Sequence, residues 1–154
     1  MKQNSLFPEE SSPKTQVAVI ANIDGGARGN PGPAAYGVVI RNSKGEVLAE
    51  LSDYLGLQTN NVAEYSGLLA ALEFAVREKY PSLKIYSDSE LLVRQMQGRY
   101  KVNNLALQEL FARAQSLVKK LQFFSIEHVL RERNKEADRL VNKVLDERAR
   151  SRKV

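Results

Sequence analysis

The stretch VAVIANIDGGARGNPGP, residues 17–33, decides how this chain is read. Its first half, 17–24, is rich in Val and Ile and predicts a strand. Its second half is crowded with glycine and proline, a composition that fits neither a helix nor a regular strand interior. Asp24 stands at the junction. An acidic group at the end of an apolar strand is costly unless something neutralises it.

Downstream, residues 36–41 and 46–55 flank a turn at Asn42, Ser43, Lys44 and Gly45 and predict an antiparallel hairpin. Thr59, Asn60 and Asn61 are N-capping residue types, and behind them Leu68, Leu69, Leu72, Ala75 and Val76 recur at helical spacing. Pro81 blocks that helix. Residues 83–87 predict a strand and 89–97 a short helix ended by Gly98. Asn103 or Asn104 caps a longer helix with Leu107, Leu110, Phe111, Ala114, Leu117, Val118 and Leu121 on its inner face. Residues 123–129 predict a further strand. Asn134 caps a last helix carrying Ala137, Leu140, Val141, Val144 and Leu145. Three strands, helix, strand, helices, strand, helix is the order of one α/β domain, a mixed sheet flanked by helices. Residues 1–16 read as a flexible leader, 17–149 as the domain and 150–154 as a basic tail.

Cysteine is absent, which excludes disulfides, thiolate metal sites and a cysteine nucleophile. The formal net charge is +5, which favours a polyanionic partner. Arg148, Arg150, Arg152 and Lys153 supply most of that excess, so a solvated terminus explains part of it. No apolar run is long enough to span a bilayer, and the first residues lack a signal-peptide core. A cytoplasmic monomer with no membrane partner is expected.

Four acidic residues stand out by context: Asp24 after the first strand, Glu64 in the first turns of the first long helix, Asp88 after the strand 83–87, and Asp138 in the first turns of the last helix. Each has a local explanation. Glu64 and Asp138 suit the positive end of a helix dipole, and Asp88 suits a cap. Strand ends and the helices over them are also where distant side chains converge. Converging carboxylates repel one another, and a hard divalent cation removes that cost.

Around these acids the chain resembles ribonuclease H type 1. Asp24, Gly25, Gly26, Ala27, Arg28, Gly29, Asn30, Pro31, Gly32 and Pro33, continuing to Tyr36 and Gly37, resemble the family's opening motif. Thr59, Asn60, Asn61, Val62, Ala63 and Glu64 resemble its second. Tyr86, Ser87, Asp88 and Ser89 resemble its third. Asn134, Lys135, Glu136, Ala137, Asp138, Arg139 and Leu140 resemble its last. The resemblance covers about 17–149. It implies a ribonuclease H-like fold, a five-stranded mixed sheet of order 3-2-1-4-5 with helices on both faces.

The resemblance also implies an activity, endonucleolytic hydrolysis of the RNA strand of an RNA–DNA hybrid that leaves 5′-phosphate and 3′-hydroxyl ends. Asp24, Glu64, Asp88 and Asp138 would hold two Mg²⁺ ions, with Mn²⁺ an alternative. Asp24 would bridge both ions, and Glu64 would approach the ribose 2′-hydroxyl. Gly25, Gly26 and Gly29 allow close approach of a nucleic-acid strand. Asn30, Asn60 and Asn61 carry donors and acceptors suited to minor-groove edges and 2′-hydroxyls. Thr59 and Asn104 match a DNA-phosphate pocket, although both are also cap residues. Arg28 and Ser89 complete the expected contacts.

Two features depart from better-known bacterial members. The connection before the last helix is short and bears Arg131 and Arg133 in place of a glycine-rich loop with a histidine. The only histidine, His128, falls within the strand 123–129 and is read as a partly exposed strand residue. Arginine cannot act as a general base, but Arg131 or Arg133 suits a phosphate. Similar short loops occur in members that also cut double-stranded RNA, which leaves that substrate open. The second departure is the missing basic protrusion: residues 98–103 lead straight into the next helix, so hybrid binding would rest on Arg28, Arg94, Arg99, Lys101 and the tail. Two rival readings are a non-catalytic nucleic-acid-binding module and a nucleotide-binding enzyme. Four intact carboxylates argue against the first, and the lack of a dinucleotide or Walker glycine pattern against the second.

Overall fold

In the computed structural model, which describes residues 18–151, β1 (Val19–Ala27), β2 (Gly32–Arg41) and β3 (Val47–Gln58) form an antiparallel meander. Helix α1 (Asn60–Arg77) leads to β4 (Ser82–Ser87). Helices α2 (Glu90–Met96) and α3 (Leu105–Val118), strand β5 (Phe123–His128) and helix α4 (Lys135–Ser151) complete the order. The sheet runs β3-β2-β1-β4-β5, with β1, β4 and β5 parallel to one another. This is the expected mixed sheet, order 3-2-1-4-5. The expected leader 1–16, and residues 152–154 of the expected tail, lie outside the described residues.

Strand alternation divides the side chains between two layers. Val19, Ala21 and Ile23 of β1, Val38 and Ile40 of β2, and Leu83 and Ile85 of β4 face one side, where α1 lays down Tyr65, Leu68, Leu72 and Ala75. Leu107 and Ala114 of α3 join the same core. Among the described residues the opposite face carries α4 alone, which seats Val141 and Leu145 on Ala35 with Tyr54 beside them. Helix α4 rests on β1, β2 and β3.

The first strand corrects the reading of its glycines. It does not stop at Asp24: Gly25, Gly26 and Ala27 stay paired with Tyr36, Ala35 and Ala34 of β2. A Cβ on Gly25 would sit 2.3 Å from the backbone carbon of Ala63 in α1. Gly37, directly across the ladder from Asp24, would put a Cβ 2.5 Å from the Ala137 carbonyl oxygen of α4. Both glycines thin the sheet so that helices approach it closely, and the chain bends only at 28–31, where Gly29 has φ +90°. Strand β2 therefore begins at Gly32 rather than near 36, and β3 continues to Gln58 rather than ending near 55.

Gly37→Ala is expected to lower stability by about 1–3 kcal/mol, because the obstructing atom is helix backbone and cannot rotate away. Thermal denaturation measures this as a fall of several degrees in Tm. An unchanged Tm would mean that α4 is not held against the sheet at this point.

Candidate active site

The strand ends and helix seats gather the acidic residues. Asp24 is on the α4 side of β1 and only 9% exposed. Glu64 follows Ala63, the residue that Gly25 lets down onto the strand. Asp88 lies one residue past β4, the parallel neighbour of β1. One oxygen each from Asp24, Glu64 and Asp88 lie within 4.8 Å of one another. Asp138, in the first turn of α4, reaches this trio by hydrogen bonding to Asp24. All four acids line one open cleft of about 440 Å³.

The cluster is electrostatically frustrated. Burial first, then the charges of Asp88 and Asp138, push the Asp24 carboxyl up to about 8. Burial raises Glu64 to about 7, against a hydrogen bond from Ser89. Asp88 is also raised, chiefly by burial, while Arg131 and a hydrogen bond from Asn134 pull it back. Hard oxygen donors, closely spaced and short of positive charge, are the donor set that a divalent cation such as Mg²⁺ prefers. The residues fit such an ion.

The remaining predicted residues divide. Gly25, Gly26, Arg28, Asn60, Asn61 and Arg131 line the same cleft as the acids. Ser89 caps α2 through Leu92 N–H at 3.2 Å and also bonds Glu64. Asn30 and Asn60 spend their side-chain oxygens inside the protein: Asn60 N–H donates to Asn30 at 3.0 Å, and Ala27 N–H to Asn60 at 2.8 Å. These bonds lock the hairpin loop that holds Gly29 to the start of α1, and leave only the amide nitrogens of both residues to offer a ligand. Thr59 caps α1 through Val62 N–H at 3.2 Å, and Asn104 caps α3 through Leu107 N–H at 3.1 Å. Neither lines the cleft. Arg28 pairs with Asp146 at 2.7 Å and Arg94 with Glu90 at 3.7 Å, so neither is a free cation.

The two loop arginines are not equivalent. Arg131 lies 3.9 Å from Asp88, with its side chain 88% exposed. Arg133 and His128 instead line a separate hollow of about 630 Å³ with Asn22 and Tyr86. His128 ends β5 and is exposed, as expected of a strand histidine. Two residues escaped the sequence reading. Asn142 lines the cleft and donates to Asp138 at 3.3 Å; its place one turn after Asp138 on an amphipathic helix was the available signal. Asn134 was read as a cap, yet its side chain is buried against β1. No local pattern signals that.

A protein-family model described as reverse transcriptase-like matches residues 22–144. The chain is 45% identical over 136 residues to the bifunctional protein Rv2228c of Mycobacterium tuberculosis, a match covering 88% of this chain and 37% of that protein. It thus spans little more than a third of that relative's length. It is 41% identical over 153 residues to ribonuclease HI of Halobacterium salinarum, covering 94% of this chain and 77% of that protein.

Among solved structures, the N-terminal RNase H domain of Rv2228c superposes with TM-score 0.84 at 44% identity, covering 88% of this chain and 99% of that one. LC11-RNase H1 in complex with an RNA/DNA hybrid superposes with TM-score 0.80 at 44% identity, covering 85% and 99%. The sheet order and the acidic cluster at one end of it define a ribonuclease H-like domain. The chain belongs to the ribonuclease H family.

The raised carboxyls set a pH dependence in metal-free solution. Between the unfolded Asp value near 3.8 and the folded value near 8, the native state keeps a proton that the unfolded state has lost. Metal-free stability therefore falls as pH rises through this window. Asp24→Asn removes the buried charge, so with EDTA at pH 8 its Tm should exceed that of the wild type by several degrees. A variant no more stable than the wild type would show that Asp24 suffers no charge repulsion.

Proposed function

We propose that this chain hydrolyses the RNA strand of RNA–DNA hybrids, leaving 5′-phosphate and 3′-hydroxyl ends. The observation that carries the proposal is the meeting of acids from four separate segments at one end of the sheet. Asp24, Glu64 and Asp88, with Asp138 beside them, would hold two divalent ions, Mg²⁺ or Mn²⁺. Such ions lower the pKa of attacking water and neutralise charge on the leaving oxygen of a phosphodiester. A hybrid-bound relative of the same fold, LC11-RNase H1, supports the choice of substrate.

The chain's own groups bind and orient that substrate. Gly26, whose missing side chain would meet only Val141 at 3.9 Å, lines the cleft near Asp24 with little but backbone, so a sugar–phosphate strand can come close; Gly25 lines it too, although its missing side chain's space is taken by α1. The Asn61 side chain and the nitrogen of Asn60 lie where 2′-hydroxyls and base edges would pass. Arg131, beside Asp88 and free to swing, suits the phosphate next to the cut. Thr59 and Asn104, at the starts of α1 and α3, suit phosphates of the DNA strand, since capping and anion binding at a helix N-terminus are compatible. With no basic protrusion between α2 and α3, Arg99 and Lys101 would carry much of the electrostatic attachment. Among the described residues no helix is long and apolar enough to cross a membrane. A cytoplasmic monomer is the proposed setting.

Digestion of strand-labelled RNA–DNA, RNA–RNA and DNA–DNA duplexes tests the reading. Cleavage confined to RNA, with Mg²⁺ required, is expected. Asp24→Asn, Glu64→Gln and Asp88→Asn should each abolish it while sparing the fold, and Asp138→Asn should be milder. His128→Ala should keep most of the rate; a loss beyond about a hundredfold would make that histidine a proton-transfer group. An active Asp24→Asn protein would end the metal-site reading.

Hybrid binding in EDTA, measured against salt, tests the attachment. Replacing both Arg99 and Lys101 by Ala should lower the slope of log K against log salt by roughly 1.8, about 0.9 for each lost phosphate contact. An unchanged slope would move the duplex off this connection.

A further inference from the structure

Asn134 is the one asparagine of the described residues that is almost wholly buried, at 1% exposure, and nothing in the proposed chemistry uses it. A buried amide must find partners or cost stability, so its bonds reveal its role. Its Nδ2 donates to the carbonyl oxygen of Ile23 at 2.8 Å, the residue directly before Asp24. The amide also stands near the Asp88 carboxylate and favours its charged form. Its Oδ1 accepts from Asn22 Nδ2 at 3.1 Å. The backbone carbonyl of Asn134 accepts the Asp138 N–H at 3.1 Å and so begins the helix that carries Asp138.

We propose that Asn134 is a positioning residue that sets the spacing of Asp24, Asp88 and Asp138 for divalent-cation binding. One residue refers three carboxylates on three elements to a common point: its amide holds the strand of Asp24 and stands near Asp88, and its main-chain carbonyl begins the helix of Asp138. Glu64, the fourth, is held from the other side through Ser89. A simple helix cap needs none of the contacts to Ile23, Asn22 or Asp88, and their combination is what separates the two roles. The Ile23 carbonyl, which can only accept, sets which end of the amide is the donor, and the Asn22 bond adds a second hold on its plane.

This inference rests on the metal-dependent nuclease reading, and the experiment separates the two. Calorimetric titration of the full chain with Mn²⁺ and Mg²⁺, without nucleic acid, is the main readout. Asn134→Ala should weaken cation affinity by roughly 10–100-fold, as loss of a group that orients metal ligands does. At fixed subsaturating Mg²⁺ its kcat should fall while KM for the hybrid, and hybrid binding in EDTA, stay near the wild-type values. If Asn134→Ala does not fold, Asn22→Ala leaves Asn134 in place, releases only the orientation of its amide, and should weaken cation affinity in the same direction by less. A lower Tm with cation affinity unchanged, in whichever variant folds, would reduce Asn134 to a structural residue and overturn the proposal. A wild-type chain that neither binds Mn²⁺ nor cuts the hybrid would overturn the nuclease reading instead.

Discussion

Everything at this site depends on two helices coming closer to the sheet than side chains normally allow. Asp24 sits mid-strand in β1, flanked along the chain by Gly25 and across the ladder by Gly37. On one face, α1 descends on Gly25 until the Ala63 backbone occupies the space of a side chain, and the next residue is Glu64. On the other, α4 descends on Gly37 at Ala137, and the next residue is Asp138. Each missing Cβ thus sits beside a carboxylate that must reach Asp24. Helices held off the sheet by full side chains would leave Glu64 and Asp138 farther from Asp24.

The same closeness makes the site expensive. Buried like charges oppose folding, and the protein offsets them with groups that are weak one by one: the Ser89 hydroxyl on Glu64, the Asn134 amide on Asp88, Arg131 at the rim. None of these neutralises a carboxylate. Such carboxylate donors suit a divalent cation, since stronger internal pairing would compete with the ion. The nearest arginine is 88% exposed and 3.9 Å from Asp88, a loose partner rather than a committed one. Arg28, by contrast, is taken up by Asp146 and Asn142, and its charge is directed at α4 rather than at the acids.

The fold was legible in the sequence because its signals are local and periodic. The capping residues Thr59 and Asn104, the helical spacing of Leu68, Leu72 and Ala75, and the short apolar strand 83–87 all fall where the elements lie. Strand order came from the motif resemblance, since periodicity cannot say which strands are neighbours. The acids were legible as candidates for the same reason. What local pattern misread was glycine. In a run with proline it signals a turn, yet Gly25 and Gly26 belong to a paired strand whose glycines are set by helices distant in sequence. The amides misled in the same way. Asn134 and Asn60 look like caps from their neighbours, but their partners, Ile23 and Ala27, belong to a strand more than thirty residues away.

The short connection between β5 and α4 follows from this arrangement. Residues 129–134 pass from the end of β5 across the ends of β4 and β1, with a single helical turn at Arg131–Arg133. Because Asn134 is pinned to Ile23 and Asn22, the segment has little slack, and successive side chains fall on different sides of it. Arg131 reaches the acidic cleft, while Arg133 turns into the hollow behind it with His128. A longer loop could bring a group from this region over the cleft and withdraw it again. A loop this short fixes which residue is presented, and the presented residue is a permanent cation rather than a titrating base. The proton transfers of hydrolysis would then fall to water and to the carboxylates, so the precise spacing of those acids matters more here than in a protein with a mobile histidine.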